Sequence, residues 1–285
     1  MIEHVSILNP MARYLLVGHL TKDLANGAFY YGGAVLYAGL LARRLGFETG
    51  VITSSAEKDL DNLFPELFFY HFGAHETTTF KNIETPAGRR QYVFARALSL
   101  PLKRLPPRWR RAEIVHIAPV LDEVSPEEVS LFETDFLVAN PQGWFRRVEA
   151  DGTVRHVAPD VSRWPRFEAL VVSVEDLSAA EELLPALKEK ARHLVVTKGA
   201  RGATLFWEGG EIFRPAYPVS RVVDTTGAGD IFAAAFFAML YASRKPLVAL
   251  EFALCLAARS VTRRTLAAVP TLAEISTCLE GGRKF

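Results

Sequence analysis

The chain has 285 residues, with 33 Lys and Arg against 32 Asp and Glu and 49% hydrophobic residues, the balance of a folded globular protein. Its net charge of +1 argues against a dedicated binder of nucleic acid or an anionic membrane, which uses a concentrated basic surface, and leaves room for a local basic pocket for a phosphorylated ligand. The longest apolar run, residues 231–243, is too short to cross a bilayer. The chain begins Met-Ile-Glu-His, with no basic region followed by an apolar stretch, so we expect no signal peptide. Cys255 and Cys278 are too few for a disulfide framework. We therefore expect a cytoplasmic protein whose cysteines are buried, reduced and apolar in character.

Short apolar runs alternate with helical patterns along most of the chain. Strands are predicted at residues 14–18, 48–53, 114–117, 136–138, 169–172 and 194–196. Helices are predicted at residues 34–45, 126–133, 177–190, 228–241, 246–259 and 272–279. Apolar strands separated by helices indicate a mostly parallel central sheet that is covered on both faces. The prediction is a three-layer α/β/α fold in a single domain, residues 1–285, because no repeat or long linker divides the chain.

One region breaks this alternation. Residues 76–83 and 90–95 follow the two-residue period of strands on either side of a Pro- and Gly-containing turn at 85–88. This pattern predicts a β-hairpin outside the parallel sheet, and residues 154–157 are another short extended piece. Exposed hairpin edges need cover, which a homodimer through the hairpin would supply. The basic stretch 103–111 is interpreted as a solvated surface loop.

One string in the C-terminal third carries the strongest chemical signal. Residues 222–230 are Val-Val-Asp-Thr-Thr-Gly-Ala-Gly-Asp, and an apolar helix follows at once. Gly227 and Gly229 let the backbone approach a ligand, and the helix N-terminus offers N–H groups and a positive dipole end to an anion. Asp230 in the first turn would stand beside that anion, an unfavourable place for a carboxylate unless it accepts a proton. The alternative is a glycine turn that only caps a helix.

The string differs from two common nucleotide-binding motifs. A dinucleotide fingerprint needs a third glycine where Phe232 stands, and the chain contains no P-loop. The complete string resembles the C-terminal signature of the ribokinase-like (PfkB) carbohydrate kinases. Gly32-Gly33 with residues 42–46 is similar to the N-terminal signature of that family, and residues 195–203 are similar to its nucleotide-side strand and turn. The resemblance implies a ribokinase-like fold with a small β-lid.

The resemblance also implies a mechanism. The last Asp of the family signature is the general base, which corresponds to Asp230. It would take the proton from the acceptor hydroxyl as that oxygen attacks the γ-phosphate of ATP. The backbone N–H groups of Gly227, Ala228 and Gly229 would form an anion hole for the transferred phosphoryl group. ATP and Mg²⁺ are the implied cofactors.

Further residues on the donor side are implied in the same way. A monovalent cation such as K⁺ would be bound by Asp224 and Thr226, unless these two only form hydrogen bonds at the strand end. Contacts with ATP would come from the following residues: Thr197, Gly199, Gly202 and Asp176. Mg²⁺ would be held through water by Glu175 or Asp176, because the Asn-x-x-Glu of the family is Ser-Val-Glu-Asp at 173–176.

The acceptor side is implied in the N-terminal half. Asp23 follows the first strand and matches the family position that binds sugar hydroxyls, since a carboxylate accepts two hydrogen bonds at once. The alternative is an Asp in a surface loop. Gly32 and Gly33 would allow backbone contact with the acceptor. Segments near 24–32 and 76–96 match the β-lid, from which Arg90 would either reach a phosphate or remain solvated.

The resemblance therefore implies an ATP-dependent kinase for a hydroxyl group of a sugar or polyol, and the near-neutral charge predicts no nucleic-acid or membrane partner. Tyr37 stands where ribokinases have Asn, which argues against ribose itself. Segments 76–80, 116–123 and 140–146 resemble the branch that includes myo-inositol kinases. One alternative is a nucleoside kinase of the same fold, with residues 29–31 stacking on a base. The other is a non-catalytic regulator that binds a sugar or a nucleotide.

Overall fold

The computed structural model describes residues 13–25, 27–85 and 88–281, so the N-terminal tetrapeptide considered above lies outside it. The strands are β1 Arg13–Val17, β2 Thr21–Ala25, β3 Ala28–Gly32, β4 Glu48–Ser55, β5 Phe68–Gly73, β6 Thr78–Thr85, β7 Gly88–Ala95, β8 Ile114–Ile117, β9 Leu137–Ala139, β10 Arg146–Val148, β11 Val154–His156, β12 Phe167–Ser173, β13 Ala191–Thr197, β14 Ala203–Trp207 and β15 Gly210–Arg214. The α-helices are α1 Ala34–Arg44, α2 Leu60–Leu63, α3 Leu184–Lys190, α4 Ala228–Ser243, α5 Pro246–Ser260 and α6 Leu272–Gly281. Within these ranges, none of the helices has the length and apolar character needed to cross a membrane.

Nine strands form one large sheet in the order β15-β14-β13-β12-β9-β8-β1-β4-β5. The strands from β13 to β5 run parallel, while β14 and β15 return antiparallel at one edge. This confirms the mostly parallel sheet that the alternating pattern predicted. The carboxyl ends of the parallel strands all open at the same edge, where ligands bind in sheets of this kind.

Apolar side chains cover both faces of the large sheet. Successive residues of a strand point to opposite faces, so a strand buried on both sides is apolar throughout. In β1, Tyr14 and Leu16 belong to the core formed with α1, α4 and α5. Leu15 and Val17 belong to a second core with Trp144 and the irregular segments of the other face. The three-layer α/β/α prediction is therefore confirmed.

A second, smaller sheet has the strand order β3-β2-β6-β7. β2 pairs antiparallel with β3 and parallel with β6, and β6 pairs antiparallel with β7. The two segments expected near 24–32 and 76–96 thus share one sheet. Asn26, Pro86 and Ala87 of the predicted lid lie outside the described residues. That this sheet acts as a lid, and that residues 1–285 form a single domain, stay predictions.

Two buried polar side chains hold the loop that follows β1: His19 joins it to the second sheet, and Glu123 joins it to the segment that follows β8. The imidazole of His19 donates from Nε2 to the Leu98 carbonyl at 2.9 Å and accepts at Nδ1 from the Thr78 hydroxyl at 2.8 Å. The Glu123 carboxylate accepts backbone N–H groups from His19 and from the two residues after Pro119, at 2.7–3.0 Å. Because an unpaired polar group is costly in the core, these bonds fix the loop after β1 and both ends of the β6–β7 hairpin.

The structure departs from the predicted elements in several places. The helix predicted at 177–190 is two 3-10 turns, Asp176–Ala179 and Glu181–Leu183, before α3 begins. Pro185 has no N–H and fits only the first turn of a helix, so the α-helix starts beside it. The helix predicted at 126–133 is a 3-10 helix, Pro126–Leu131. The strands β5, β14 and β15 were not predicted; β5 and β15 contain no buried residue, whereas β14 is buried at its first three positions.

The cysteines correct one prediction. Cys255 of α5 and Cys278 of α6 are both buried, as expected. They form a disulfide, however, with their Cα atoms 5.8 Å apart. Helices α5 and α6 pack against each other, which brings two side chains 23 positions apart within bonding distance. The expectation of reduced thiols is therefore wrong, and the pair gives no support to a reducing compartment.

Candidate active site

The candidate residues gather at the carboxyl edge of the parallel strands. Asn140 directly follows β9, Ser173 ends β12 and Thr197 ends β13. The negative charges of Asp23 and Asp176 act on Asp230 and raise its pKa. Strand β2 of the second sheet, the end of β12 and the start of α4 therefore converge at one place.

The signature string forms the turn that starts α4. Gly227 precedes the helix in the left-handed region, with φ 79°, and a Cβ atom there would lie 2.5 Å from the Tyr37 ring. The Ala228 N–H donates to the Thr225 carbonyl at 3.2 Å, and Gly229 is exposed. The predicted anion hole thus lies at an accessible, glycine-lined helix N-terminus, although the Ala228 N–H is bonded within the turn in this conformation.

Asp230 lies in the first turn of α4 and is partly buried. Asn140 donates from Nδ2 to Asp230 Oδ1 at 2.8 Å. Burial raises the pKa of the Asp230 carboxyl to about 7, with smaller increases from Asp176 and Asp23 and decreases from the Asn140 hydrogen bond and the Arg146 charge. A carboxyl group with a pKa near neutrality suits a site that must accept and release a proton.

A chain of buried polar side chains continues from Asp230 into the core. Asn140 Oδ1 lies 2.6 Å from His116 Nε2, and His116 Nδ1 lies 3.0 Å from the Tyr14 hydroxyl. Burial lowers the pKa of His116 to about 4, so its ring is neutral, and burial raises the pKa of Tyr14. No role for Tyr14, His116 or Asn140 was predicted from the sequence. The available signal was a polar residue within or directly after an apolar parallel strand.

The structure brings the predicted acceptor residues Asp23 and Gly32 together. A Cβ atom on Gly32 would lie 2.7 Å from Asp23 Oδ2, so the absence of a side chain makes room for this carboxylate. Gly33 has φ 91°, and a Cβ atom there would lie 2.6 Å from the His19 carbonyl oxygen. Arg90 is exposed on β7, and within the described part of the chain no hydrogen bond or ion pair joins it to the other candidates.

The donor-side candidates lie at the ends of β12 and β13. Asp176 is buried and accepts at Oδ2 from the backbone N–H and the hydroxyl of Ser173, at 2.9 and 2.8 Å. Its Oδ1 is buried without a hydrogen-bond partner among the residues the structure describes. Glu175 next to it is exposed. The predicted ATP contacts of the β13 turn are the following: Thr197 at the strand end, Gly199 in a 3-10 turn and Gly202 with φ 117°.

A basic cavity adjoins this site and was not predicted. Its volume is about 490 Å³, and the charged residues lining it are Arg96, Asp122, Arg146, Arg147, Asp160 and Arg163. Arg146 donates from Nη1 to the Val120 carbonyl at 3.2 Å, and its positive charge lowers the pKa of Asp230. Arg146 is therefore an arginine of the site whose charge acts on the candidate base, and contact of Arg90 with a phosphate stays a prediction.

The predicted site for a monovalent cation contains a local hydrogen bond. Asp224 accepts at Oδ1 from the Thr226 N–H at 2.9 Å, which is the alternative considered for this pair. In the three described stretches, no group of three or more His, Cys, Asp or Glu side chains converges as a metal site. A cation would therefore need further oxygen ligands from water, backbone or a bound nucleotide.

The fold is that of ribokinase-like proteins. A pyrophosphate-dependent kinase in the ribokinase family, solved with a pyrophosphate analog and myo-inositol, superposes on this chain with a TM-score of 0.74. Its sequence is 20% identical, and the superposition covers 94% of this chain and 99% of that one. The overall fold is thus shared with a known kinase structure.

Sequence comparison identifies the family to which the chain belongs. The profile of the pfkB family carbohydrate kinase matches residues 69–272, and the chain belongs to this family. Inositol 3-kinase of Zea mays is 34% identical over 124 residues, which are 42% of this chain and 31% of the maize protein. The chain thus matches about a third of the length of that relative. A nucleoside kinase of Methanocaldococcus jannaschii is 24% identical over 220 residues, 73% of this chain and 71% of that protein.

Proposed function

We propose that this chain transfers a phosphoryl group from ATP to a hydroxyl group of a sugar or polyol, with Asp230 as the general base. The observation that carries the proposal is the position of Asp230 at the glycine-lined start of α4, close enough to Asp23 and Asp176 for their charges to raise its pKa. A base near neutrality, a helix start that attracts anions and an acceptor carboxylate are the parts that phosphoryl transfer to a hydroxyl requires.

Each part has one task in this proposal. Asp23 accepts hydrogen bonds from hydroxyl groups of the acceptor and orients it over Gly32 and Gly33. Asp230 takes the proton from the attacking hydroxyl as its oxygen approaches the phosphoryl group. The backbone N–H groups of residues 227–229 stabilise the negative charge that develops, and the Ala228 N–H must leave its turn partner to take part.

Bound ATP with Mg²⁺ would supply the phosphoryl group and neutralise charge on its oxygens. Asp176 fits the task of holding the metal, directly or through water, because its buried Oδ1 has no hydrogen-bond partner in the described chain while Ser173 holds Oδ2. Exposed Glu175 would act only through water. The β13 turn, with Thr197, would contact the nucleotide, and Asp224 with Thr226 would bind K⁺.

The acceptor class is proposed from the acceptor side of the site. The partial match to an inositol kinase and the likeness to a structure solved with myo-inositol both support a compact polyol. The aromatic residues that would clamp a base in a nucleoside kinase are partly committed elsewhere. Tyr31 donates to Glu57 Oε2 at 2.6 Å and packs edge-on against Phe64. Phe29 and Tyr30 remain exposed, so a nucleoside kinase is the second candidate.

The test is a substrate panel with purified protein, Mg²⁺ and K⁺. Acceptors are inositols, hexoses, ribose and nucleosides, and donors are ATP and pyrophosphate, since one structural neighbour is described as pyrophosphate-dependent. The expected result is ATP-dependent phosphorylation of an inositol or sugar that Asp230→Asn abolishes. Near wild-type turnover of that variant with the best acceptor would refute the mechanism. Tight binding of sugar or nucleotide without any turnover would favour the non-catalytic regulator.

Two further expectations belong with this proposal. A homodimer through the second sheet would cover exposed apolar side chains there, such as Phe94, which is 61% exposed, and Phe29, which is 47% exposed. Analytical ultracentrifugation of Phe94→Glu against the unchanged protein tests it, and equal masses would contradict it. The cytoplasmic location remains a prediction from the sequence, and fractionation of cells that express the chain tests it.

A further inference from the structure

We propose that Tyr14, His116 and Asn140 act as positioning residues, forming one directed hydrogen-bond chain that sets the orientation of the Asp230 carboxylate. The inference rests on the proposed role of Asp230 as general base and adds the residues that hold it. The chain runs from β1 through β8 and the end of β9 to α4, with successive distances of 3.0, 2.6 and 2.8 Å. It therefore ties the first turn of α4 to three neighbouring positions of the large sheet.

The direction of the chain follows from donor and acceptor counting. His116 is neutral, so its ring has one N–H and one lone pair. The Tyr14 hydroxyl is fully buried, and His116 Nδ1 is its hydrogen-bond partner in the described chain. If Nδ1 carried the proton, the hydroxyl hydrogen of Tyr14 would be left unpaired in the core, which is unfavourable. Tyr14 therefore donates to Nδ1, and the ring proton stays on Nε2.

The ring proton in turn orients the Asn140 amide. His116 Nε2–H can bond only to the amide oxygen, so the Asn140 NH₂ group must face Asp230. An NH₂ group stabilises the ionised carboxylate, whereas the amide oxygen would repel it. The bond occupies Asp230 Oδ1, and Oδ2 is the oxygen that takes up the acceptor proton. The Tyr14 hydroxyl in the core thus determines that the NH₂ group of Asn140, and not its amide oxygen, points to Asp230.

The hydrogen bonds of Tyr14, His116 and Asn140 orient the Asp230 carboxylate without adding charge to the site. The charged groups that face Asp230 from neighbouring elements are Arg146 of β10, Asp176 after β12 and Asp23 of β2. The edge of the Phe237 ring from α4 packs on His116, with ring centroids 4.9 Å apart. His116 is thus enclosed by apolar and neutral groups, which keeps it neutral across the working pH range.

The test compares Tyr14→Phe and Asn140→Ala with a matched control. His193→Gln removes another buried imidazole hydrogen bond, 3.1 Å long, from the amino end of β13, far from the carboxyl edge. The first readout is ¹⁵N NMR of labelled histidine, with His116→Gln to assign the signal. The second is the carboxyl ¹³C titration of Asp230 in the protein without substrates, assigned with Asp230→Asn. The third is kcat and KM with ATP and the best acceptor of the panel.

The wild-type His116 ring is expected as the Nε2–H form, and Tyr14→Phe is expected to mix the two forms. Asn140→Ala should raise the Asp230 pKa by about one unit, because a hydrogen bond to the charged form is lost. Turnover should fall about tenfold in Tyr14→Phe and about a hundredfold in Asn140→Ala, with KM for ATP unchanged. The control should alter none of these readouts.

The proposal fails if wild-type His116 is the Nδ1–H form, or if Tyr14→Phe and Asn140→Ala behave like the control in both NMR readouts. These outcomes are independent of turnover. If Asp230→Asn keeps full activity while the NMR results are as expected, the general-base function fails and the hydrogen-bond chain stands. If Asp230→Asn is inactive but Tyr14→Phe and Asn140→Ala keep wild-type turnover, the positioning role fails and the base stands.

Discussion

Replacing Asp230 by Asn should stabilise the protein at alkaline pH and much less at acidic pH. The carboxyl group has a pKa of about 7 in the folded protein against 3.8 as the reference value for the unfolded chain. Below both values the group is protonated in either state and its burial has little effect. Between the two values the unfolded state has released its proton while the folded state keeps it, so folding stability falls as the pH rises from the unfolded to the folded pKa and levels off above it.

The size of the effect follows from the two pKa values. A pKa of about 7 instead of 3.8 corresponds to about 4 kcal/mol of unfolding free energy at pH 8. At about pH 5 the same calculation gives less than half of this amount. The folded carboxyl group is protonated there, and the pH lies only about one unit above the pKa of the unfolded state. Asparagine carries no charge and keeps an oxygen for the Asn140 amide, so it removes this loss at each pH.

Urea unfolding at both pH values measures the difference between the variant and the unchanged protein. Asp61→Asn in α2 is the control, since that side chain is exposed and hydrated in both states. The increase in unfolding free energy of Asp230→Asn over the unchanged protein should be larger at pH 8 than at pH 5 by at least about 2 kcal/mol. An equal gain at the two pH values would refute the reasoning, because the carboxyl group would then be ionised in both folded and unfolded protein.

Three further predictions concern other parts of the molecule. Double replacement of Cys255 and Cys278 by Ala should lower the unfolding free energy by about 3 kcal/mol, as expected for a closed loop spanning 23 positions, and equal urea midpoints would contradict it. Glu123→Ala should lower it by about 3 kcal/mol in the same assay, because three buried backbone N–H groups lose their acceptor, and a loss under 1 kcal/mol would count against this account. Gly32→Ala places a Cβ atom 2.7 Å from Asp23 Oδ2 and should raise KM for the acceptor about tenfold with KM for ATP unchanged; parallel changes in both would argue against an acceptor role for Asp23.

The parts of the fold that were predictable are those with a strong local pattern. Strand β8 has the predicted bounds, because its β-branched run Ile-Val-His-Ile begins after the charged Glu113 and ends shortly before Pro119. Helix α4 starts at Ala228, within the last three residues of the signature string, since two glycines and a following apolar run mark a helix N-terminus whatever the tertiary context. The position of Asp230 in its first turn followed from the same local signal.

The features that the sequence did not predict depend on contacts between residues that are distant along the chain. His116 meets Tyr14 only because β8 pairs with β1, and it meets Asn140 because β9 is the next strand on the other side. The Cys255–Cys278 bond likewise depends on how α5 packs on α6. No local pattern contains this information, because strand order is set by the packing of both sheet faces.

The bonds of His19 imply how the second sheet can move. One imidazole ring holds Thr78 at the root of the outgoing arm of the β6–β7 hairpin and Leu98 just beyond the returning arm. The two ends of the hairpin are therefore held at one point, the His19 ring, which would be the pivot if the hairpin moves as a lid. The pivot belongs to the short loop that also leads into β2 and Asp23. If Asp23 binds the acceptor as proposed, the acceptor site and this pivot share one short loop, and we expect acceptor binding to be coupled to any movement of the hairpin.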